Sequence, residues 1–307
     1  MKKLLAMILA ATMAFSMAGC MSSNDLDELD AALDVVIEEM EAEEVVEEAT
    51  EEATEEVSEE AAEEVAVDSE LAAIQEKGYM TIGYTVYEPM NYTDEAGEFT
   101  GFDTEYALAV CEILGVEADF VEINWDTKYV ELAANSIDCI WNGMTITEDG
   151  MANANITNAY VKNAQVVVVK ADSGITSTAD LIGEDVVAEM GSAGEAQITE
   201  NEDLMQANYI GMTKQTDCLL EVKAGAATAA VLDWTLAKSM VGEGTDYADL
   251  MMVDGLELAT EEYGIACRLG SDLTDAINEA TAELVADGTM DALAEAYGLA
   301  LAPAISE

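Results

Sequence analysis

The sharpest pattern in the chain is a short apolar run at 137–141, Ile-Asp-Cys-Ile-Trp, followed by Asn142-Gly143 and then Met-Thr-Ile-Thr at 144–147. A run of this length bounded by a turn signal predicts a buried strand, and Asn-Gly supplies the turn. Thr147 is placed to cap a helix whose first turn carries Glu148 and Asp149. A strand that feeds a helix N-terminus presents outward-pointing N–H groups. In an open α/β sheet, ligands sit at the carboxyl ends of strands. On this reading Trp141, Asn142, Gly143 and Thr145 line a pocket, although the pattern also fits an ordinary strand–helix connection around a buried Trp.

Upstream, the pattern predicts a helix over 71–75 stopped by Gly78, a strand over 80–84, and a turn at 94–97. Asp103 is placed as the N-cap of a helix with Tyr106, Val110, Ile113 and Leu114 on one face, stopped by Gly115. A strand over 116–123 and a helix over 127–134 complete a βαβα order, which predicts a mostly parallel sheet. Downstream the layout repeats. A strand over 165–170 and a short helix from Ser177 precede a strand over 185–190 that ends in Gly-Ser-Ala-Gly-Glu at 191–195. A helix over 214–223 leads to a strand over 229–232 with Asp233 at its carboxyl end. A strand over 263–268 and helices over 273–286 and 290–297 finish the chain.

Two stretches before the folded part are different material. Between Asp25 and Glu70 there are 22 acidic residues and no Lys or Arg, with Glu-Glu-x-Thr/Ser/Ala repeating every four residues from Glu47. Like charges four apart repel on a helix face, and no aromatic residue is present to build a core. The stretch at 21–69 is therefore expected to be a disordered, extended linker. Residues 1–20 have the layout of a targeting segment: Lys2 and Lys3, then an apolar run to Met17. Met-Ala-Gly-Cys at 17–20 resembles a bacterial lipobox, which implies cleavage before Cys20 and lipidation of its thiol; plain secretion is the alternative.

Composition narrows the chemistry further. The formal net charge is −55 and there is no His, which makes nucleic acid an improbable partner and removes the commonest general base. No Gly-rich phosphate loop, Cys-x-x-Cys or His-Glu-x-x-His occurs, so no cofactor or metal is expected. Cys111, Cys139, Cys218 and Cys267 each sit in an apolar pattern and read as buried free thiols, though export would permit disulfides.

The order of several motifs resembles the extracytoplasmic solute-binding proteins of ABC transporters, polar amino-acid type. These are Gly101-Phe102-Asp103, Leu114-Gly115-Val116, Ile137-Asp138 with 143–147, Asp172-Ser173-Gly174-Ile175 with Ala179-Asp180-Leu181, Gly191-Ser192, Tyr263-Gly264-Ile265-Ala266, and Asp287-Gly288-Thr289. The resemblance covers about 75–303. It implies a two-lobed, periplasmic-binding-protein-like (type II) α/β fold over 70–303. One lobe holds 70–163 and 261–303, the other 164–260, with crossings near 163–166 and 258–262. It further implies that the ligand, an amino acid or related amine, is trapped by hinge closure, and that the protein partners a permease and the membrane through its lipid.

Roles carried over with the resemblance place Thr145 and the Gly143 backbone at the ligand's α-carboxylate. Ser192 reaches the same group from the other lobe, Asp233 pairs with the ammonium, and Tyr87 stands near the pocket mouth. Trp125 either walls the pocket or packs in the core. The family's usual carboxylate-clamping Arg falls at Gly150 here, and no Lys or Arg lies between Lys128 and Lys162. Either the ligand's carboxylate is held by N–H groups and hydroxyls alone, or the ligand is not a standard α-amino acid; in both cases neutral or cationic ligands are expected over acidic ones. Two other functions remain in view. One is a dehydratase-like enzyme on the same fold, for which Glu88, Glu148 and Glu189 are the available acids without a convincing arrangement. The other is a sensor or scaffold with no transport role. The expected protein is a binder and not an enzyme.

Overall fold

The computed structural model describes residues 69–306. The targeting segment with Cys20 and the acidic repeat lie outside the described residues. Helix α1 (Glu70–Lys77) is capped by Ser69 and stopped by Gly78 in the left-handed region, as the sequence predicts. Strand β1 (Tyr79–Tyr84) follows, then a small hairpin of β2 (Tyr92–Thr93) and β3 (Phe99–Thr100). Helix α2 (Phe102–Leu114) ends at Gly115, whose N–H caps the last carbonyls. Strand β4 (Glu117–Glu122), helix α3 (Lys128–Ala133) and strand β5 (Cys139–Thr145) come next. Helix α4 (Glu148–Asn153) is capped by Thr147, whose hydroxyl accepts from Gly150 N–H.

After the short β6 (Asn155–Ile156), strand β7 (Val161–Lys170) leaves the first lobe for the second. There β8 (Asp185–Glu189), α5 (Ala193–Glu200), β9 (Asn208–Met212), α6 (Gln215–Ala224), β10 (Ala229–Asp233) and α7 (Trp234–Met240) follow in order. Strand β11 (Leu250–Cys267) returns, and α8 (Leu273–Ala286), α9 (Thr289–Tyr297) and α10 (Pro303–Ser306) pack back on the first lobe.

One sheet runs through both halves in the order β4-β1-β5-β11-β7-β10-β8-β9, with β6 also paired to β11. Pairing is parallel within each lobe, β1 with β4 and β5, and β8 with β9 and β10. It is antiparallel at the junction, where β11 pairs β5 and β7 and β7 pairs β10. The sheet is thus parallel on both flanks and antiparallel in the middle, because the two crossing strands run in opposite directions. The β7–β11 register shifts between Met252 and Glu257 and again before Ala259. Such irregularities bend a strand pair locally.

One core cluster runs from the first lobe into the second, joining Phe102 and Tyr106 to Val187, Leu219 and Leu232, and further clusters lie within each flank. In the first lobe Phe102, Tyr106, Trp141 and Tyr160 are fully buried, and Tyr106 meets the Trp141 ring edge-on at 4.8 Å. In the second, Val167, Val169, Val186, Ala188, Ile198 and Val231 close on one another. Cys111, Cys139, Cys218 and Cys267 are free and buried, and burial pushes the Cys111 and Cys267 thiols up to about 12. Among the described residues no helix is long and apolar enough to cross a membrane.

Candidate functional site

A cavity of about 510 Å³ lies between the two lobes, against the carboxyl ends of β5, β8 and β10. The lobes meet around it. Gly191, at φ +72°, approaches Asp126 so closely that a Cβ there would stand 2.9 Å from the Asp126 Cα. Glu122 pairs with Lys214, Ser239 Oγ donates to Glu88 Oε1 at 2.9 Å, and Lys238 Nζ donates to the Gly298 carbonyl at 2.7 Å.

On the first lobe, β5 does not turn at Asn142-Gly143 as the sequence predicts. The strand continues to Thr145, with Gly143 at φ +54°. A Cβ at Gly143 would meet the Tyr87 ring at 2.8 Å and the Tyr263 ring at 3.0 Å, so only glycine fits. The Gly143 N–H donates to Asp103 Oδ2 at 2.6 Å. Asp103 is therefore not the N-cap of α2, a place taken by Gly101. It is a fully buried carboxyl that braces the strand, also accepting from Tyr160 OH at 3.0 Å. Burial raises it to about 7 against those two bonds.

Asn142 borders the cavity, but its amide is fully engaged. Oδ1 accepts from the Thr85 N–H and hydroxyl, and Nδ2 donates to Thr85 O and Asn91 Oδ1. Trp141 does not line the cavity. It lies four residues short of the strand end, where α2 covers it, and is 0 % exposed. Tyr87 does line the cavity, with its hydroxyl bonded to that of Tyr263. The Thr145 hydroxyl faces the hinge and donates to Glu261 Oε1 at 2.8 Å.

The positive group that the sequence lacks at Gly150 is present from another position. Lys128, in the first turn of α3, is buried in the cavity wall. Its ammonium sits over the Trp125 and Tyr129 rings at 4.8 and 4.9 Å. It donates to the Gly191 carbonyl of the other lobe at 2.7 Å and to Trp125 O at 3.2 Å. Burial lowers it to about 8, against the pull of Glu189 and Asp126. A Cβ at Gly150 would stand 2.9 Å from the Tyr129 hydroxyl and 3.2 Å from Thr147 Oγ1, so a larger residue there would displace those side chains. Trp125 both lines the cavity and is buried in the core.

On the second lobe, Asp233 is buried at the end of β10. Its Oδ1 accepts from Asn163 Nδ2 at 2.5 Å and Gln165 Nε2 at 2.8 Å, and its Oδ2 from Gln215 Nε2. Burial and then the neighbouring Glu261 raise it to about 8. Glu261, on β11, accepts from Thr145, Asn163 and Gln165 through a single oxygen. Ser192 caps α5, accepting from Glu195 N–H at 3.2 Å, while Glu195 Oε2 accepts from Gly191 N–H at 2.7 Å. Glu189, at the end of β8, is 3 % exposed, and its Oε1 has no hydrogen-bond partner.

The structure brings Tyr87, Asn142, Gly143, Thr145, Ser192 and Asp233 to the lining of one cavity and takes Trp141, expected there from the sequence, away from it. Sequence reasoning misses Lys128, Asn163, Gln165, Gln215 and Glu261, and assigns Glu189 no place in the site. A Lys between Trp125 and Tyr129 on a helix in a strongly acidic chain was the available signal for Lys128. The hinge amides fall in the segments named as crossings, but nothing local marks them as polar partners of Asp233. The walls hold fixed charges of both signs, and among the described residues no group of His, Cys, Asp and Glu could hold a metal ion. The arrangement suits a small molecule bearing both an ammonium and an anionic group.

The sequence profile of the bacterial extracellular solute-binding proteins, family 3, matches residues 80–300. An L-cystine-binding protein of Escherichia coli strain K12 is 29 % identical over 236 residues, which are 74 % of this chain and 85 % of that protein. Among solved structures, a substrate-binding protein of an ABC uptake transporter from Streptococcus pneumoniae, with bound histidine, superposes with a TM-score of 0.66. It is 30 % identical and is covered to 94 %, over 74 % of this chain. The holo form of ArgBP from T. maritima superposes with a TM-score of 0.65 at 32 % identity, covering 74 % of this chain and 99 % of that one.

Proposed function

This chain belongs to the bacterial extracellular solute-binding proteins, family 3, with the two-lobed type II fold of its structural neighbours, and we propose that it captures an amino acid or related amine between its lobes for an ABC importer. In this reading Cys20 carries the lipid anchor, the acidic stretch spaces the domain from the membrane, and a permease accepts the ligand when the lobes part. One observation carries the reading. Asp233 is a buried carboxyl group at the cavity wall, held by three amide side chains, and among the described residues no Lys or Arg pairs with it.

A ligand ammonium supplies the missing counter-charge, and a charge-assisted bond of this kind is about twice as strong as a neutral one. The α-carboxylate faces Lys128 and the N-terminal end of α5, two sources of positive potential on opposite lobes. A ligand that touches both favours the closed form, because it binds that form better than the open one. Relatives of this chain bear names for cystine and histidine binding, which fits an α-amino acid as the ligand class.

A thermal-shift panel over the standard amino acids, their decarboxylated amines and their N-acetyl derivatives tests this. The expected result is a raised melting temperature with at least one free amino acid and none with its N-acetyl form, since only ligands of the folded state stabilise it. Aspartate and glutamate should be the poorest ligands, because Asp233, Glu261 and Glu189 all border the cavity. No shift with any amine would overturn the reading.

A further inference from the structure

The proposed binding mode uses Asp233 and Lys128 and leaves Glu189 without a role. Its side chain is 3 % exposed, points to the same cavity, and makes no hydrogen bond through Oε1. Lys128 does not satisfy it: the ammonium is directed to the carbonyls of Gly191 and Trp125, and among the described residues no ion pair joins the two side chains. The charged groups that act on Glu189 are Asp233 and Asp217 on one side and Lys128 and Lys214 on the other, Asp233 being the strongest of the four. A buried carboxyl oxygen with no donor is unfavourable, and it calls for a donor from outside the protein.

Glu189 and Asp233 end neighbouring parallel strands, β8 and β10, paired at Ala229–Val186 and Ala230–Val187, a register that sets Glu189 beside Leu232 and one residue short of Asp233. Both side chains line the same cavity, and Asp233 is the charge that acts most strongly on Glu189, so one small molecule can reach both carboxyls. We infer that Glu189 is a second cation-reading position, and that the ligand carries two basic nitrogens, an α-ammonium for Asp233 and a second at its far end for Glu189. The inference rests on the amino-acid reading above and narrows it to α-amino acids with a basic side chain. A metal ion is a poorer occupant, since no suitable ligand cluster forms around Glu189 among the described residues.

Titration calorimetry at pH 7 with two matched pairs tests it: L-lysine against L-norleucine, and L-arginine against L-citrulline. Each pair differs chiefly in the charge of the far end. In the wild-type protein the basic member should bind at least about tenfold tighter, the ratio expected for one charge-assisted bond. In Glu189→Gln that ratio should fall below about threefold. Wild-type ratios near one, or norleucine and citrulline binding tighter, would overturn the inference without any variant. An unchanged ratio in Glu189→Gln would also overturn it, and Glu189→Met serves if the Gln variant does not fold. If the thermal-shift panel finds only neutral amino acids as ligands, the second cation position is wrong and the amino-acid reading stands. If no α-amino compound binds at all, both fall.

Discussion

Lys128 on the first lobe donates to the carbonyl of Gly191 on the second at 2.7 Å, closing the cavity with a buried positive charge. The same ammonium is held between two aromatic rings, which fixes its position. It is therefore a tie between the lobes and, among the described residues that line the cavity, the one lysine or arginine. Lys128→Met keeps the length and the apolar stem but removes the charge. A hydrogen bond to a charged group is worth about 1.5–3 kcal/mol, so an α-amino acid ligand should bind roughly 10–100-fold more weakly. Its decarboxylated amine should lose much less. Equal losses for the two, measured by titration calorimetry, would show that Lys128 acts on closure alone.

Asp233→Asn preserves the shape of the side chain while removing its charge. The expected loss of amino-acid affinity is on the order of 2–5 kcal/mol, the usual result when one partner of a buried charge pair is removed. The thermal midpoint of the unliganded protein should change little, because the variant is spared the burial of an ionisable group but sets an NH2 against the Gln215 amide donor. Retention of tight binding by this variant would take Asp233 out of the site.

Stability of the empty protein should fall as pH rises. Burial raises Asp233 and Glu189 to about 8 and Asp103 to about 7, against roughly 3.9–4.3 in an unfolded chain. Between about pH 4 and 8 the folded protein therefore holds protons that the unfolded chain has released. Their stabilising contribution is full below about pH 4, is lost as pH climbs through 7 and 8, and levels off above. Surface repulsion in this acidic chain acts in the same direction, but salt screens it and leaves buried groups largely untouched. A slope that vanishes in high salt, in urea unfolding from pH 5 to 8.5, would show that the buried carboxyls are not responsible. Ligand binding at pH 7 should release protons, since an ammonium ionises Asp233; calorimetry in buffers of different ionisation enthalpy reads this directly.

Trp141→Ala should damage the fold and not the site. The ring is fully buried against Tyr106, and truncating a core aromatic costs about 3–5 kcal/mol. Urea unfolding should show that loss, while a folded variant should keep ligand affinity within a few-fold. A large affinity loss with little change in stability would return Trp141 to the cavity wall.

The lipid anchor is testable without any structure of the leader. Cys20→Ala should move the protein from the membrane fraction to the soluble fraction or the medium. Unchanged membrane retention after a detergent-free wash would count against lipidation.

Regular elements with clean periodicity were legible in the sequence. The helix expected over 273–286 is Leu273–Ala286, and Gly78 and Gly115 end their helices as expected. Strand Asn208–Met212 carries no clear apolar pattern, because it lies at the sheet edge and is only half-buried. Of the long strand Leu250–Cys267, only its buried end around 263–268 was read. Asp254, Glu257, Glu261 and Glu262 break the apolar pattern across the crossing. In the site, residues next to Gly or at a strand end announced themselves. Asn163, Gln165 and Gln215 did not, because they act on Asp233 from distant parts of the chain. Asn142-Gly143 misled for a related reason: the left-handed glycine serves close packing against Tyr87 and Tyr263, not a turn.

Glu261 sits on a strand that joins the lobes, yet one of its oxygens accepts from the Thr145 hydroxyl and the Asn163 and Gln165 amides together, and both amides also hold Asp233. If Asp233 holds the ligand as proposed, selectivity and the joint between the lobes share the same two amides. A substitution chosen to admit a new ligand at Asp233 then also disturbs the bonds that Glu261 accepts on the connecting strand. Directed evolution toward a new specificity should therefore accumulate paired changes at 163, 165 and 261, since any one alone leaves a donor or an acceptor of this network without its partner.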